Sequence, residues 1–159
     1  MATFHYLHFR AFCHETEDPE KVKTALRNVA QAKALEIEET FVEGTHKNRI
    51  VILEAETKNA AAARALFLAL RNDDPEGFAR FRAQAPHRVD ENLNLHLRLD
   101  KQAAFLAKTQ LAQDEDAITV RGKIRSFEAK RTGRPLEASL LELEAFLQGL
   151  DRSSPSTAQ

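Results

Sequence analysis

Between Leu93 and Leu99 four leucines alternate with Asn94, His96 and Arg98. A segment with that period of two makes a strand whose one side is buried and whose other side meets water. Parallel sheets are covered on both faces and read as continuous apolar runs. The alternation therefore predicts a mainly antiparallel sheet with helices gathered on one side.

Other segments fit the same plan. Residues 3–13 alternate, with His5, Leu7, Phe9, Ala11 and Cys13 on one parity and Phe4, Tyr6, His8, Arg10 and Phe12 on the other. Further strands are expected from about Leu35 to Val42, from about Arg49 to Glu56, and where Ile118, Val120 and Ile124 alternate with Arg121, Lys123 and Arg125. Gly44 to Asn48 suits a hairpin turn between the second and third strands. Helices are signalled by Asp18 and Pro19 ahead of Val22, Ala25, Leu26 and Val29, and by the Ala/Leu-rich stretch 60–71. Asp74 and Pro75 precede Phe78 and Phe81, and Asp100 precedes Ala103, Ala104 and Leu106. Pro135 opens a last helix with Leu136, Leu140, Leu143 and Leu147 inward and Gly149 past its end. The expected fold is α+β, a single-domain two-layer sandwich in the order βαββααβ(α)βα, with a largely antiparallel sheet and helices on one face. It covers residues 1–150, and Asp151 to Gln159 has the composition of a disordered tail.

Composition narrows the function. The chain has 159 residues, 23 Lys and Arg against 24 Asp and Glu, and 43% hydrophobic residues. It is too apolar for disorder and too balanced to hold polyanions over its whole surface. The charge is uneven along the chain, however. Within 121–134, Arg121, Lys123, Arg125, Lys130, Arg131 and Arg134 are opposed only by Glu128, whereas residues 15–43 are net acidic. The single cysteine, Cys13, excludes an intramolecular disulfide and every multi-cysteine metal pattern. No window approaches the ~18 consecutive apolar residues of a membrane span, and the opening residues lack the pattern of a secretion signal. A cytoplasmic protein without membrane contact is the expectation.

With the aliphatic parity of each strand on the helices, the opposite parity displays Tyr6, His8 and Arg10, then Asn94, His96 and Arg98, then Arg121, Lys123 and Arg125. Alternate residues on a strand lie ~6.6–6.8 Å apart, of the order of the phosphate spacing along an extended nucleic-acid strand. Arginines and lysines would meet phosphates there, while Tyr6, His8 and His96 would stack on bases or reach their edges. RNA is thus the expected partner. His5, His8, Cys13 and His14 resemble a metal set only when written in a row, because a strand sends His5 and Cys13 to one face and His8 to the other. Asp114, Glu115 and Asp116 offer carboxylates for a metal-dependent ribonuclease, the alternative reading, yet they fall within one turn. A homo-oligomeric module, a homodimer built on the 60–71 helix or the aromatic strand face, is a further alternative. No cofactor motif occurs, and no cofactor or metal is expected.

Three stretches carry a resemblance. Phe12-Cys13-His14-Glu15-Thr16-Glu17-Asp18 leading into Glu20-Lys21-Val22, Leu97-Arg98-Leu99-Asp100-Lys101-Gln102-Ala103-Ala104, and Ala129-Lys130-Arg131 are similar to archaeal RNA-binding proteins described as predicted exosome subunits. The similarity runs from about residue 4 to residue 148. It implies an α+β fold of the ribosomal-protein or double-stranded-RNA-binding kind, a non-catalytic RNA-binding role, and a link to exosome-associated RNA processing or decay. It also implies RNA contacts at Arg98, Lys101, Lys130 and Arg131. Lys47 stands where a second glycine is expected, and Glu128 where proline is more typical.

Overall fold

The structure, a computed structural model, describes residues 3–43, 48–125, 133 and 135–152. Strand β1 (Phe4–Cys13) is followed by helix α1 (Pro19–Ala30) and strands β2 (Glu38–Glu43) and β3 (Arg49–Thr57). Helices α2 (Ala60–Asp73) and α3 (Pro75–Gln84) come next, then a 3-10 turn at Ala85–Arg88, strand β4 (Asn94–Asp100), the short helix α4 (Lys101–Phe105), strand β5 (Ala117–Ile124) and helix α5 (Pro135–Arg152). The five strands form one sheet in the order β2-β3-β1-β5-β4, and every neighbouring pair is antiparallel. The α+β sandwich expected from the alternation is therefore the observed one.

The capping residues act as their chemistry requires. Asp18, Asn59, Asp74 and Asp100 each accept a hydrogen bond from a backbone N–H in the first turn of α1, α2, α3 and α4. Asp74 also accepts from the Leu111 N–H at 3.1 Å, which ties the α3 start to the segment between α4 and β5. Leu7, Phe9, Ala11, Leu53, Leu95, Leu97, Leu99, Ile118 and Val120 are buried, and they meet Leu26, Leu66, Phe67, Leu70, Leu143 and Leu147 of the helices. Burial of each large side chain contributes about 1.5–3 kcal/mol. None of the described helices is long and apolar enough to cross a membrane.

Three elements depart from the expectations. Between Phe4 and Tyr6 the register of β1 against β5 slips, with Phe4 opposite Ile124 and Tyr6 opposite Lys123. This bulge moves Phe4 to the buried face and leaves His5 exposed, reversing their expected sides. β2 starts at Glu38 rather than near Leu35, because Leu35 is drawn into the core by a turn in which its N–H bonds to the Ala32 carbonyl. α5 runs through Gly149 to Arg152, so Asp151 and Arg152 are helical rather than tail. Its Leu136 is 44% exposed rather than inward, whereas Leu143 and Leu147 are buried. The expected turn at 44–47 and the tail from 153 lie outside the described residues.

The bulge anchors the helical layer. Phe4 stacks on Phe67 of α2 at 6.1 Å between centroids and meets Phe146 of α5 edge-on at 5.4 Å. Phe67 in turn touches Phe81 of α3 at 5.6 Å. Gly122 of β5 makes room for these rings, since a Cβ there would lie 2.8 Å from Phe4 Cδ1 and 3.0 Å from Leu7 Cδ2. Rings wedged on three sides cannot withdraw cheaply. Gly122→Ala should therefore lower stability by about 1–3 kcal/mol and the melting midpoint by roughly 2–4 °C per kcal/mol, as measured by circular dichroism on heating.

Candidate nucleic-acid interface

The face of the sheet opposite the helices is open, and the strand order decides what it carries. Since β5 lies between β1 and β4, the residues opposite one another form rows. Tyr6, Lys123 and Asn94 make one row, His8, Arg121 and His96 the next, and Arg10, Thr119 and Arg98 the third. Rows of this kind are about 4.7–4.9 Å from strand to strand. Arg125 follows β5 and approaches exposed His5, with its Nε 3.3 Å and its Nη2 3.2 Å from His5 Nδ1. The structure thus brings Tyr6, His8, Arg10, His96, Arg98, Arg121, Lys123 and Arg125 onto one wall.

The middle row has a distinct charge order. His8 Nε2 lies 3.0 Å from Glu54 Oε2 on one flank, and His96 Nε2 lies 2.7 Å from Asp90 Oδ2 on the other. Arg121 stands between the two histidines with its Nε buried and without a hydrogen-bond partner among the described residues. Arg10, Arg98 and Arg121 enter no ion pair among the described residues. Arg10 instead lies over the Phe12 ring at 5.1 Å, and Lys123 Nζ donates to the Asn92 carbonyl. Partial burial pushes the Asp90 carboxyl up, but the His96 hydrogen bond and the N–H groups of Asn94 and Asn92 outweigh it and hold Asp90 below its ordinary 3.8.

Lys101 does not join the wall. It is 3% exposed, and its ammonium donates to the Phe12 carbonyl at 2.9 Å, to Glu17 Oε1 at 2.9 Å and to Asp116 Oδ1 at 2.6 Å. Three donors meet three acceptors, so nothing is left for an external anion. The expected RNA contact at Lys101 is corrected accordingly: its long side chain reaches inward from the α4 start and fastens the end of β1 to the start of β5. Lys130 and Arg131 lie outside the described residues.

The same cluster bears on metals and nucleophiles. His14, Glu17 and Asp116 have ligand atoms within 4.8 Å of one another, a different set from the histidines and cysteine near the N-terminus. Lys101 already supplies a cation to both of its carboxylates. Asp114 accepts from the Asp116 N–H at 3.1 Å, which is a turn contact. Cys13 is buried, and burial followed by the nearby Glu17 carboxylate raises its thiol above the ordinary value. It behaves as a core residue.

Residues 6–124 match the RNA_binding family, described as RNA binding. The chain belongs to that family. Among the relatives of this RNA_binding chain is the RNA-binding protein PAB1135 of Pyrococcus abyssi, 33% identical over 152 residues that make up 92% of this chain and 96% of the relative. Mth689, a DUF54 protein from Methanothermobacter thermautotrophicus, has a similar structure, with a TM-score of 0.71, 30% identity and coverage of 91% of this chain and 98% of its own. Protein AF2318 from Archaeglobus fulgidus compares at a TM-score of 0.70 and 26% identity, over 87% of this chain and 99% of its own.

Sequence reasoning missed Glu54 and Asp90, the two carboxylates at the ends of the middle row. Glu54 has the open-face parity within β3 but lies opposite Arg10, with Glu56 opposite His8, so its reach to His8 is a diagonal contact that parity does not announce. Asp90 lies in a turn, and no periodicity marks it. Two measurements check this geometry. Lys101→Met leaves the Glu17 and Asp116 carboxylates without their shared cation, so it should lower stability by about 2–3 kcal/mol in urea denaturation, the partners' partial exposure keeping the loss modest. Because folding lowers Asp90, its contribution is present above pH 3.8 and disappears as the pH falls through the lower folded value. The stability difference between wild type and Asp90→Asn should accordingly be largest near neutrality and shrink below pH 3.8.

Proposed function

We propose that the chain is a non-catalytic RNA-binding protein that holds the RNA backbone on the open face of its sheet. The observation that carries this reading is Arg121, a guanidinium with a buried, unpartnered Nε set between two histidines on an exposed wall. A guanidinium cannot shed its charge, and a buried donor without an acceptor is costly. A phosphate oxygen supplies both the acceptor and the countercharge. Membership of a family described as RNA binding, and a relative named as an RNA-binding protein, support the same ligand.

The surroundings favour contacts to the backbone over contacts to bases. Tyr6 is half-buried, Phe12 is covered by the Arg10 guanidinium, and both histidines are held by carboxylates. Arg98, Arg121, Lys123 and Arg125 are the phosphate contacts, with Arg10 at the rim and Tyr6, His8 and His96 lining the path. Lys130 and Arg131 extend the same basic stretch in sequence. In the cell, such a protein acts as an accessory factor in RNA processing or decay, with the exosome as the partner assembly.

Salt titration tests the reading. Counting Arg10 at the rim with the four phosphate contacts, log K for single-stranded RNA should fall against log salt with a slope of about −3.5. Arg98→Ala combined with Arg121→Ala should weaken binding and reduce the slope by about 1.4. Arg98 is exposed, so its loss should change folding by less than ~0.5 kcal/mol, and removing the buried, unpartnered Arg121 Nε takes away a costly group, so the double variant should remain folded. Unchanged affinity and slope in this double variant would place the RNA elsewhere.

A further inference from the structure

β2 is an edge strand whose outer backbone groups have no neighbouring strand among the described residues. Natural edges are usually blunted by charged side chains, proline, a bulge or brevity, and here the charge is all acidic, which blocks like-charged strands and leaves the edge to a basic one. The sequence Glu38-Glu39-Thr40-Phe41-Val42-Glu43 has neither lysine nor proline, its pairing with β3 is regular through all six residues, and all six are exposed. Phe41 and Val42 project from opposite faces with 62% and 39% exposure. Such an edge is open to pairing.

The charge around it selects the partner. Glu38 sits directly opposite Glu54, a like-charge pair that is unfavourable across two strands. Glu36, Glu38, Glu54 and Glu56, with His8 and Ala55, line a groove of about 380 Å³ on the open face beside this edge. On the helix side Glu39 and Glu43 add two more carboxylates; Lys23 is already shared between Glu20 and Glu39, and Arg49 lies opposite Glu43 with its guanidinium over the Phe41 ring at 5.6 Å, so the acidic excess is on the open face. A second copy pairing β2 with β2 about its centre would set Glu38 against Glu43 at both ends. RNA would be repelled from the same edge.

We propose that β2 is a docking edge for a basic, extended segment of a partner protein, which adds to the sheet as a further strand. Backbone hydrogen bonds to β2 provide affinity. The alternate side chains of the segment fall on opposite faces, so lysines or arginines on one parity enter the carboxylate groove while aliphatic residues fall on the other. This inference does not rest on the RNA-binding reading: its strand is β2, at the far edge from β5 and β4, and His8 is the residue the groove shares with the RNA path.

The test uses the full chain and a fluorescein-labelled ten-residue peptide of alternating lysine and valine, followed by anisotropy. Micromolar binding is expected, with amide-exchange protection confined to Glu38 to Glu43. The same peptide N-methylated at every second residue keeps its charge but cannot form the ladder, and it should bind at least tenfold more weakly. An alternating glutamate and valine peptide should not bind. Glu38→Lys, Glu39→Lys and Glu43→Lys together should also lower peptide affinity at least tenfold while RNA affinity is retained. Equal binding of the N-methylated peptide, protection outside β2, absence of binding, or self-association through this edge in light scattering would each overturn the proposal.

Discussion

β1 lies at the centre of the sheet, and that position determines what every other element can do. Its buried residues Leu7, Phe9 and Ala11 are covered by helices, while its open-face residues are flanked by β3 on one side and β5 on the other. β3 contributes Glu54 and Glu56, and β5 contributes Arg121 and Lys123. A chain with almost no net charge thus acquires a steep charge gradient across one face. Had β4 and β5 paired with β2 instead, the same residues would have largely cancelled one another. Local field, not total charge, governs how a protein of this composition meets a polyanion.

Lys101 and Arg121 show how burial separates two cations that look alike in a sequence. The Lys101 ammonium is compact and reaches three oxygens from three chain segments, so its charge is spent within the protein. The Arg121 guanidinium is planar and wide, and its neighbours across the strands are histidines rather than acids. One cation fastens the framework; the other is left facing outward. Neither outcome follows from residue type alone.

Much of this arrangement was legible in the sequence because period-two alternation reports which side of a strand is buried. Leu93 to Leu99 established an open-faced sheet, and parity alone placed Tyr6, His8, Arg10, His96, Arg98, Arg121 and Lys123 on the correct side. The resemblance around Leu97 to Ala104 pointed to the family. What parity cannot convey is register. The bulge that exchanges Phe4 and His5 depends on Phe67 and Phe146, which are far away in the chain. Lys101 follows a strand whose alternation ends at Asp100, so no pattern announced that its side chain turns inward. Glu54 and Asp90 gained their importance only from strands pairing across long stretches of chain.

The central placement of β1 also affects how the molecule is made. Phe4 is opposite Ile124, so one side of the first strand waits for a partner more than a hundred residues later. At about 5–20 residues per second of synthesis, that delay is on the order of ten seconds. β3 can cover the other side much sooner. During the interval the nascent chain carries an unsatisfied row of amides beside phenylalanines that have no helix over them yet, a period in which a chaperone or the ribosome surface has most to protect.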